Sequence, residues 1–140
     1  ARGGISVPLD VEIVTPNRVL LQEQIDELNL PGELGYLGIL PGHTAFLSTL
    51  GQGELMYRQG EQHQYLSIFW GYMEVNNDKV TVLAELGELA SEIDRSRAAV
   101  ARDRAEQRLH RLSGEEVDFE RAQAALRRAL TRLQVASRGH

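Results

Sequence analysis

The chain has 140 residues, enough for one full domain or for a small domain with an appendage. Its 42% hydrophobic and 25% charged residues are typical of a globular protein and exclude a disordered chain. It contains no cysteine, which excludes disulfides, cysteine-ligated zinc and thiol nucleophiles. The N-terminal stretch ARGGISVPLD has no apolar core region, so we expect no signal peptide.

The net charge of −5 is unevenly distributed along the chain. Residues 1–90 carry four Lys/Arg against twelve Asp/Glu, a net charge of −8. Residues 91–140 carry eleven Arg against eight Asp/Glu, a net charge of +3. This change of sign predicts a domain boundary near residue 90, and we place the two domains at residues 1–88 and 89–140.

The first ninety residues have the pattern of β-strands. VPLDVEIVT, residues 7–15, alternates apolar and polar residues, and RVLLQEQIDELNL, residues 18–30, is predicted as one long strand with an irregularity. The runs ELMYR, QYLSIFW, YMEV and KVTVLAEL follow at short intervals, and a hairpin turn is predicted at Asn76–Asp78. Many short strands at regular spacing indicate an antiparallel β-sandwich or barrel.

An uncharged stretch of twenty residues, 34–53, contains the segment GYLGILPGHTAF. A transmembrane helix is excluded because Pro41 and five glycines interrupt the stretch. Neither the phosphate-loop pattern G-x-x-x-x-G-K-[ST] nor the dinucleotide pattern G-x-G-x-x-G is present. We therefore predict two buried strand segments, YLGIL and HTAFLSTL, joined by a turn at Pro41 and Gly42.

After residue 90 the periodicity becomes helical. SEID, residues 91–94, fits a capping box that begins a helix running to about Leu112, and SGEEVD, residues 113–118, separates it from a second helix that Asp118 would cap. Small and apolar residues recur at every third or fourth position, which predicts a close antiparallel hairpin. These positions are Ala98, Ala101, Ala105, Leu109 and Leu112, then Phe119, Ala122, Leu126, Ala129, Leu133 and Ala136.

The predicted fold class is therefore α+β, an N-terminal antiparallel β-sandwich followed by a C-terminal antiparallel two-helix hairpin. Burial of apolar surface stabilises a fold by about 25 cal/mol per Å², and an alanine side chain buries little of it. We expect a hairpin that is marginally stable by itself and able to detach from the surface on which it packs.

The sequence offers no self-contained catalytic site. The four histidines are far apart, and His43, beside the predicted turn, is interpreted as a structural or contact residue rather than a metal ligand. Ser48 and Ser67 lack a nucleophile-elbow context, and no pair of carboxylates is marked by its spacing as an acid/base dyad. We predict a protein that is not an enzyme and requires no cofactor.

The arginines of the hairpin carry the strongest chemical signal. Rows of arginines on two facing helices could bind a polyphosphate through bidentate hydrogen bonds, or dock on an acidic protein or on nucleic acid. They could also be solvated without binding a partner. A net charge of only +3 without interleaved aromatic residues makes nucleic acid the weaker choice. The arginines are Arg97, Arg104, Arg108 and Arg111 on the first helix and Arg121, Arg127, Arg128 and Arg132 on the second.

The segment GYLGILPGHTAF resembles the G-E-L-G-I-L-P-G-H-x-P-L signature of the epsilon subunit of the F-type ATP synthase. WGYMEVNNDKVTVLAE is similar to that family's G-G-x-x-E-V-x-x-x-x-V-T-[IV]-L-A segment. The match covers roughly residues 7–137 in order, including the change from strands to helices. Tyr36 stands where the family usually has Glu, and FWGY replaces the common S-G-G-[FI].

The resemblance implies a rotor subunit that does not itself catalyse a reaction. It implies a sandwich that binds the gamma subunit and the membrane c-ring in the central stalk and couples ion-driven rotation to ATP synthesis. Gly38 and His43, within the signature, are the candidate partner contacts. The implied place is the cytoplasmic face of a bacterial plasma membrane, peripheral and without a transmembrane segment, in preference to a plastid thylakoid.

For the hairpin the resemblance implies regulation. Folded on the sandwich it permits turnover, and extended along gamma into the alpha/beta catalytic hexamer it blocks ATP hydrolysis. Deletion of the residues after about Leu86 should then leave assembly intact and raise ATPase activity. Two other functions stay open, a stand-alone ATP-sensing module and a nucleic-acid-binding adaptor, the latter opposed by the acidic sandwich.

Some bacterial members of that family bind ATP on the folded hairpin through a motif [IL]-D-x-x-R-A, which IDRSRA, residues 93–98, matches. The resemblance therefore makes ATP a candidate regulatory ligand. The alternative is structural, because Asp94 would also occupy the third position of a capping box begun by Ser91. The residues carried over as candidate ATP ligands are Glu88, Ile93, Asp94, Arg97, Ala98, Arg104, Arg128 and Arg132.

Overall fold

A computed structural model describes residues 7–111 and 116–138, with the backbone alone at residues 116 and 117. Within these ranges seven strands, one 3-10 turn and two α-helices follow one another, which confirms the predicted α+β class. The strands are β1 Leu9–Val14, β2 Val19–Ile25, β3 Glu27–Gly32, β4 Gly35–Ile39, β5 Phe46–Gln59, β6 Gln62–Asn76 and β7 Lys79–Leu89. The 3-10 turn is Ala90–Glu92, and the helices are α1 Arg95–Arg111 and α2 Glu116–Arg138.

The strands are hydrogen-bonded in the order β2-β1-β7-β6-β5-β3-β4, and the sheet folds over so that its two halves enclose one core. All neighbouring pairs are antiparallel except β1 and β7, which run parallel. The predicted sandwich was purely antiparallel, and the parallel pair was missed because β1 and β7 lie far apart in sequence. Inward alternation fills the core with fully buried side chains, among them Leu9, Ile13, Leu28, Leu30, Leu55, Leu66 and Ile68.

The prediction of one long strand over residues 18–30 is wrong, because the chain turns at Asp26 into two strands, β2 and β3. The Asp26 N–H donates to the Arg58 carbonyl oxygen (2.8 Å), and the Asp26 carboxylate accepts from the Gly60 N–H (2.7 Å). These bonds turn the chain from β1 toward β5. The segment therefore supplies one edge of the sheet and, in β3, a strand near the other edge.

Two strands are present within residues 34–53, as predicted, but the prediction that both are buried is wrong. β4 pairs with β3 and forms an edge of the sheet, while β5 begins only at Phe46. Ile39 and Leu50 are buried, but most apolar residues of the stretch face solvent, because they lie in turns or at strand positions that point away from the core. The exposed apolar residues are Leu34, Tyr36, Leu40, Phe46 and Leu47.

The β6–β7 hairpin confirms the predicted turn. Asn77 and Asp78 both have positive φ, 50° and 61°, as a two-residue turn matched to the twist of its strands requires. Positive φ also occurs earlier in β6, at Trp70 (61°) and Gly71 (139°). That irregularity changes which residues of β6 face inward, so that Ile68 before it and Met73 after it both reach the core.

The first helix begins later than predicted. Ser91 lies in the 3-10 turn, and α1 starts at Arg95 with Asp94 as its N-cap, since the Asp94 carboxylate accepts from the Arg97 N–H (3.0 Å). Asp94 is thus the cap itself rather than the third residue of a box begun by Ser91. The second helix begins at Glu116, ahead of the predicted cap Asp118, and Leu112 to Glu115 lie outside the described residues.

The two helices form the predicted pair, with α2 packed on β5 and β6 and α1 packed on α2. The alanines at the centre of the stripe are buried, whereas Ala101 and Phe119 are exposed. No helix in the described part of the chain is long and apolar enough to cross a membrane. The buried alanines are Ala98, Ala105, Ala122, Ala129 and Ala136.

Candidate functional site

The outer surface of β5, β6 and β7 carries a polar row beneath α2. Glu54, Ser67 and Glu88 are cross-strand neighbours on these three strands. Tyr65 and Phe69 flank Ser67 on β6, two residues to either side and on the same surface. We call these five residues the helix-covered face. Ser67 is fully buried and Phe69 is 2% exposed although both point away from the core, because α2 lies over them.

Arg132 of α2 binds one side of this face. Its Nε lies 2.7 Å from a carboxylate oxygen of Glu88, and its guanidinium carbon lies 5.1 Å from the centroid of the Phe69 ring. The Ser67 hydroxyl donates to the same carboxylate oxygen at 3.3 Å. A planar guanidinium that stacks on an aromatic ring while pairing with a carboxylate is held in one orientation. Two of the candidate ATP ligands, Glu88 and Arg132, are therefore bound to each other.

Arg138 binds the other side in the same way. Its Nε lies 2.8 Å from a carboxylate oxygen of Glu54, and its guanidinium carbon lies 4.9 Å from the centroid of the Tyr65 ring. The hydrogen bond to Glu54 raises the pKa of Arg138 above its ordinary value. Glu54 is only 8% exposed, and its N–H donates to the Tyr36 hydroxyl at 3.1 Å. Sequence reasoning missed this pair, which joins residues 84 positions apart.

A small apolar cluster completes the contact between hairpin and sandwich. Val135 and Ala136 of α2 are fully buried against Ala90 and Ile93, with Tyr65 at the margin. This cluster separates the described helices from the main core, which contains none of their residues. Within the described residues the hairpin therefore packs on the sandwich through a cluster separate from the main core, and its marginal stability stays a prediction.

The motif IDRSRA has clear structural roles. Ile93 is buried in the small cluster, Asp94 caps α1, and Ala98 is buried (4% exposed) on the helix that packs on α2. Arg97 is exposed, with its backbone N–H bound by Asp94. These contacts place the motif at the junction from which the hairpin leaves the sandwich.

Three further candidate ligands are arginines with free head groups. Arg97 and Arg104 are exposed on α1, and Arg128 is half-buried on α2. None of the three guanidinium groups forms an ion pair or hydrogen bond with a residue that the structure describes. Guanidinium groups without a carboxylate partner remain available to an anion. Of the eight candidate ligands, the structure joins Glu88 to Arg132 through their side chains and Asp94 to Arg97 through the cap hydrogen bond.

The candidate partner contacts Gly38 and His43 lie on β4 and in the turn region that follows it. Gly38 lines a cavity of about 570 Å³ between β4 and α2, where a Cβ would lie 3.2 Å from the Asn29 side-chain oxygen. His43 lies in the Pro41–Gly42 turn region, with Nδ1 2.7 Å from the Thr44 carbonyl oxygen. Gly42 donates its N–H to the Asp78 carboxylate at 2.6 Å, which anchors this turn to the β6–β7 turn.

An apolar surface that sequence reasoning missed lies on β6 and β7. Tyr72 and Leu83 are cross-strand neighbours and are 57% and 50% exposed. With Val14 and Pro16 they line a cavity of about 350 Å³. We call this the Tyr72–Leu83 surface. The signal in the sequence was two large apolar residues at outward-facing strand positions, and such surfaces commonly bind a partner.

Comparison with known proteins assigns the family. Residues 8–90 match the family model described as "ATP synthase, Delta/Epsilon chain, beta-sandwich domain", and residues 91–137 match the "ATP synthase, Delta/Epsilon chain, long alpha-helix domain". The chain belongs to the ATP synthase delta/epsilon chain family. The resemblance stated from the GYLGILPGHTAF signature is therefore confirmed.

Curated bacterial relatives match along almost the whole chain. ATP synthase epsilon chain 2 of Syntrophotalea carbinolica is 48% identical over 131 residues, covering 94% of this chain and 95% of the relative. The ATP synthase epsilon chain of Geotalea daltonii is 49% identical over 130 residues, covering 93% and 94%. Both domains of the chain therefore have counterparts in these relatives.

Solved structures share the fold at lower identity. A chain of the Euglena gracilis mitochondrial ATP synthase, in a structure of OSCP/F1/c-ring, has a TM-score of 0.79 at 21% identity and covers 98% of this chain and 85% of its own. A chain of the Tetrahymena thermophila mitochondrial ATP synthase, in a structure of the central stalk and c-ring, has a TM-score of 0.59 at 14% identity, with coverages of 94% and 95%.

Proposed function

We propose that the chain is a rotor subunit in the central stalk of an F-type ATP synthase, on the cytoplasmic face of a bacterial plasma membrane. In this role it is not itself an enzyme. It binds the gamma subunit and the c-ring and helps couple ion-driven rotation to ATP synthesis. The observation that carries the proposal is the near-complete match, at 48% identity, to bacterial ATP synthase epsilon chains.

Exposed apolar residues on the sandwich support binding to stalk partners. The Tyr72–Leu83 surface and the turn containing His43 both present such residues, Leu40 among them at 54% exposure. The turn is held by the Gly42–Asp78 hydrogen bond, which reduces the conformational entropy lost when a partner binds. We assign gamma to the Tyr72–Leu83 surface and the c-ring to the turn.

The second part of the proposal is regulation of ATP hydrolysis by the hairpin. Two arginine contacts and one small apolar cluster attach it to the sandwich, so it can exchange between docked and extended states. The docked state permits turnover, and the extended state reaches the alpha/beta catalytic hexamer and blocks hydrolysis. The arginine-rich helices suit acidic surfaces of that hexamer.

The third part is that ATP stabilises the docked state. The free guanidinium groups of Arg97, Arg104 and Arg128, drawn from both helices, can bind the phosphates only when the helices lie together. Binding to one state stabilises that state in proportion to ligand concentration. Glu88 and Arg132 contribute through the groups that their ion pair does not use, the terminal nitrogens of the guanidinium and the second carboxylate oxygen.

Truncation tests the division of labour between the two domains. The strand β7 runs to Leu89, so a deletion after Leu86 would remove residues paired with Ile68, Ser67 and Leu66. The deletion should therefore follow Glu92. We expect the truncated chain to assemble with gamma and to raise ATPase activity. Loss of assembly would contradict the assignment of stalk binding to the sandwich.

Calorimetric titration of the isolated chain with ATP tests the regulatory ligand. We expect saturable binding that is lost in the Arg97→Ala, Arg128→Ala double variant. The matched control is Arg121→Ala, Arg127→Ala, which removes two exposed arginines outside the candidate set. Equal loss in both double variants would show a general charge effect, and absence of binding at millimolar ATP would leave IDRSRA a structural junction.

The free arginines also favour a second candidate function, a stand-alone ATP-sensing module. The two functions differ in association with gamma, which the rotor subunit maintains with or without ATP. Purification of the chain from its cells, without nucleotide, separates them. Stoichiometric recovery of gamma supports the rotor role, and recovery of the chain alone supports the sensor.

A further inference from the structure

The helix-covered face contains two arginine-binding positions of the same construction. Each consists of an aromatic residue of β6 and a glutamate of a neighbouring strand. One receives Arg132 between Phe69 and Glu88, and the other receives Arg138. The two arginines are six residues apart on α2, so the helix is attached at two separate points.

The two positions differ in their relation to the candidate nucleotide site. Both Glu88 and Arg132 are candidate ATP ligands, and their mutual pair uses only Arg132 Nε and one Glu88 oxygen. A nucleotide at these two residues would therefore compete with, or add to, the contact that attaches α2 at this position. Glu54, Tyr65 and Arg138 lie outside that set of ligands. The second position shares no residue with the candidate ligands, so it attaches the end of α2 to the sheet whether or not a nucleotide contacts Arg132.

We propose that Glu54, Tyr65 and Arg138 form a positioning clamp that sets the docked fraction of the hairpin and, through it, the apparent affinity for the nucleotide. The effect on nucleotide affinity rests on the proposed function, whereas the effect on the docked fraction does not. The clamp acts at a distance from the nucleotide and contributes no ligand to it.

Burial makes this ion pair stronger than an ordinary surface pair. The Glu54 side chain is 10% exposed, and its oxygen lies 2.8 Å from Arg138 Nε. A buried carboxylate that loses its cationic partner keeps the cost of desolvation without the compensating attraction. Arg138 is 43% exposed, and its stacking on Tyr65 adds to the attraction.

The expected effect on nucleotide affinity follows from the docked population. A ligand that binds only the docked state has an apparent dissociation constant equal to its intrinsic value divided by the docked fraction. A variant that lowers the docked fraction to about one tenth therefore weakens apparent binding about tenfold. The intrinsic contacts to the nucleotide stay unchanged.

Hydrogen exchange of the α2 amides in the full-length chain, without nucleotide, tests the clamp directly. We expect faster exchange in Arg138→Gln and in Glu54→Gln, with the double variant close to either single variant because both remove one interaction. Arg138→Lys should restore part of the protection, since lysine keeps the charge but loses the planar stack. Arg127→Gln, at an exposed position of the same helix, is the control.

Each outcome has a defined meaning. Protection in Arg138→Gln equal to that in Arg127→Gln overturns the clamp, and this variant leaves the sheet intact because Arg138 projects from α2. Exchange of the β5 amides in Glu54→Gln checks that this strand is still folded. Additive effects of the two substitutions would also overturn the clamp, because independent residues do not form one interaction.

Titration of the same variants with ATP tests the link between the clamp and nucleotide affinity. We expect a weaker apparent affinity in Arg138→Gln by the factor that its docked fraction predicts, and no change in Arg127→Gln. An unchanged affinity with faster exchange would overturn the link to nucleotide binding. If the unaltered chain binds no ATP, the nucleotide part of the proposed function fails, while the exchange experiment still decides the clamp.

Discussion

Arg18 and Glu92 form a two-point ion pair that ties the β1–β2 turn to the 3-10 turn. The two guanidinium NH groups lie 2.5 and 2.6 Å from the two carboxylate oxygens. Glu92 also accepts the Leu89 N–H at 2.9 Å. The point at which the chain leaves the sandwich is thereby fixed to the sandwich, so the hairpin motion that we propose would begin beyond Glu92.

This pair predicts a defined loss of stability in acid. The hydrogen bond from Arg18, followed by that from Leu89, lowers the pKa of Glu92 below its ordinary value. Glu92 therefore stabilises the fold above its unfolded-state pKa of about 4.3, and this contribution is lost as pH falls through the lower folded-state value. Urea unfolding at pH 7 and at about pH 3 should show a smaller difference in Glu92→Gln than in the unaltered chain.

The control for this measurement is Glu61→Gln, at an exposed position in the β5–β6 turn. The Glu61→Gln variant should lose as much unfolding free energy in acid as the unaltered chain. Because both partners of the Arg18–Glu92 pair are partly exposed, high salt should reduce the difference. Identical pH profiles for Glu92→Gln and the unaltered chain would contradict a stabilising role for the pair.

Gly71 cannot be replaced without displacing β7. Its φ is +139°, and a Cβ added there would lie 1.9 Å from the Leu83 carbonyl oxygen. We expect Gly71→Ala to lower the free energy of unfolding by roughly 3 kcal/mol, because backbone must shift in addition to the conformational cost. Gly60→Ala is the control, with φ +62° and open space around the added carbon, and should cost about 1 kcal/mol. Equal costs in urea titrations would contradict the steric argument.

The alanines between the helices should limit how large a residue the hairpin accepts. Ala129 is 1% exposed, and Ala129→Leu should overpack the contact at a cost of about 1–3 kcal/mol. We expect faster amide exchange in both helices and unchanged exchange in the core strands. Gln123→Leu introduces the same side chain at an exposed position of α2 and should leave exchange unaltered. Slower exchange in Ala129→Leu would mean that the helices have room for a larger residue.

The Tyr72–Leu83 surface should be required for assembly and dispensable for folding. Because Tyr72 is 57% exposed, Tyr72→Glu should change the unfolding free energy by less than about 1 kcal/mol and greatly reduce recovery of gamma in pull-down experiments. Asn76→Glu makes the same residue at an exposed position of the same strand and should retain binding. Normal recovery of gamma with Tyr72→Glu would place the partner elsewhere on the sandwich.

Local signals in the sequence were sufficient for much of the fold. The Asn77–Asp78 turn could be predicted because two residues that tolerate positive φ stand between alternating runs. The turn at Asp26 between β2 and β3 was missed because it is held by hydrogen bonds to Arg58 and Gly60, which are distant in sequence. The start of α1 was missed because two residues, Ser91 and Asp94, offer the same capping chemistry and packing of Ile93 selects the second.

The sequence by itself determined the family and the change from strands to helices near residue 90, because motifs and periodicity are local properties. The nucleotide ligands that it suggests stay a prediction. The tertiary structure alone decided that β1 and β7 run parallel and that the apolar residues around the PGH turn face solvent. It alone decided that Arg132 pairs with Glu88 and Arg138 with Glu54, at separations of 44 and 84 residues. Such pairings depend on how strands and helices pack in space, and no local spacing encodes them.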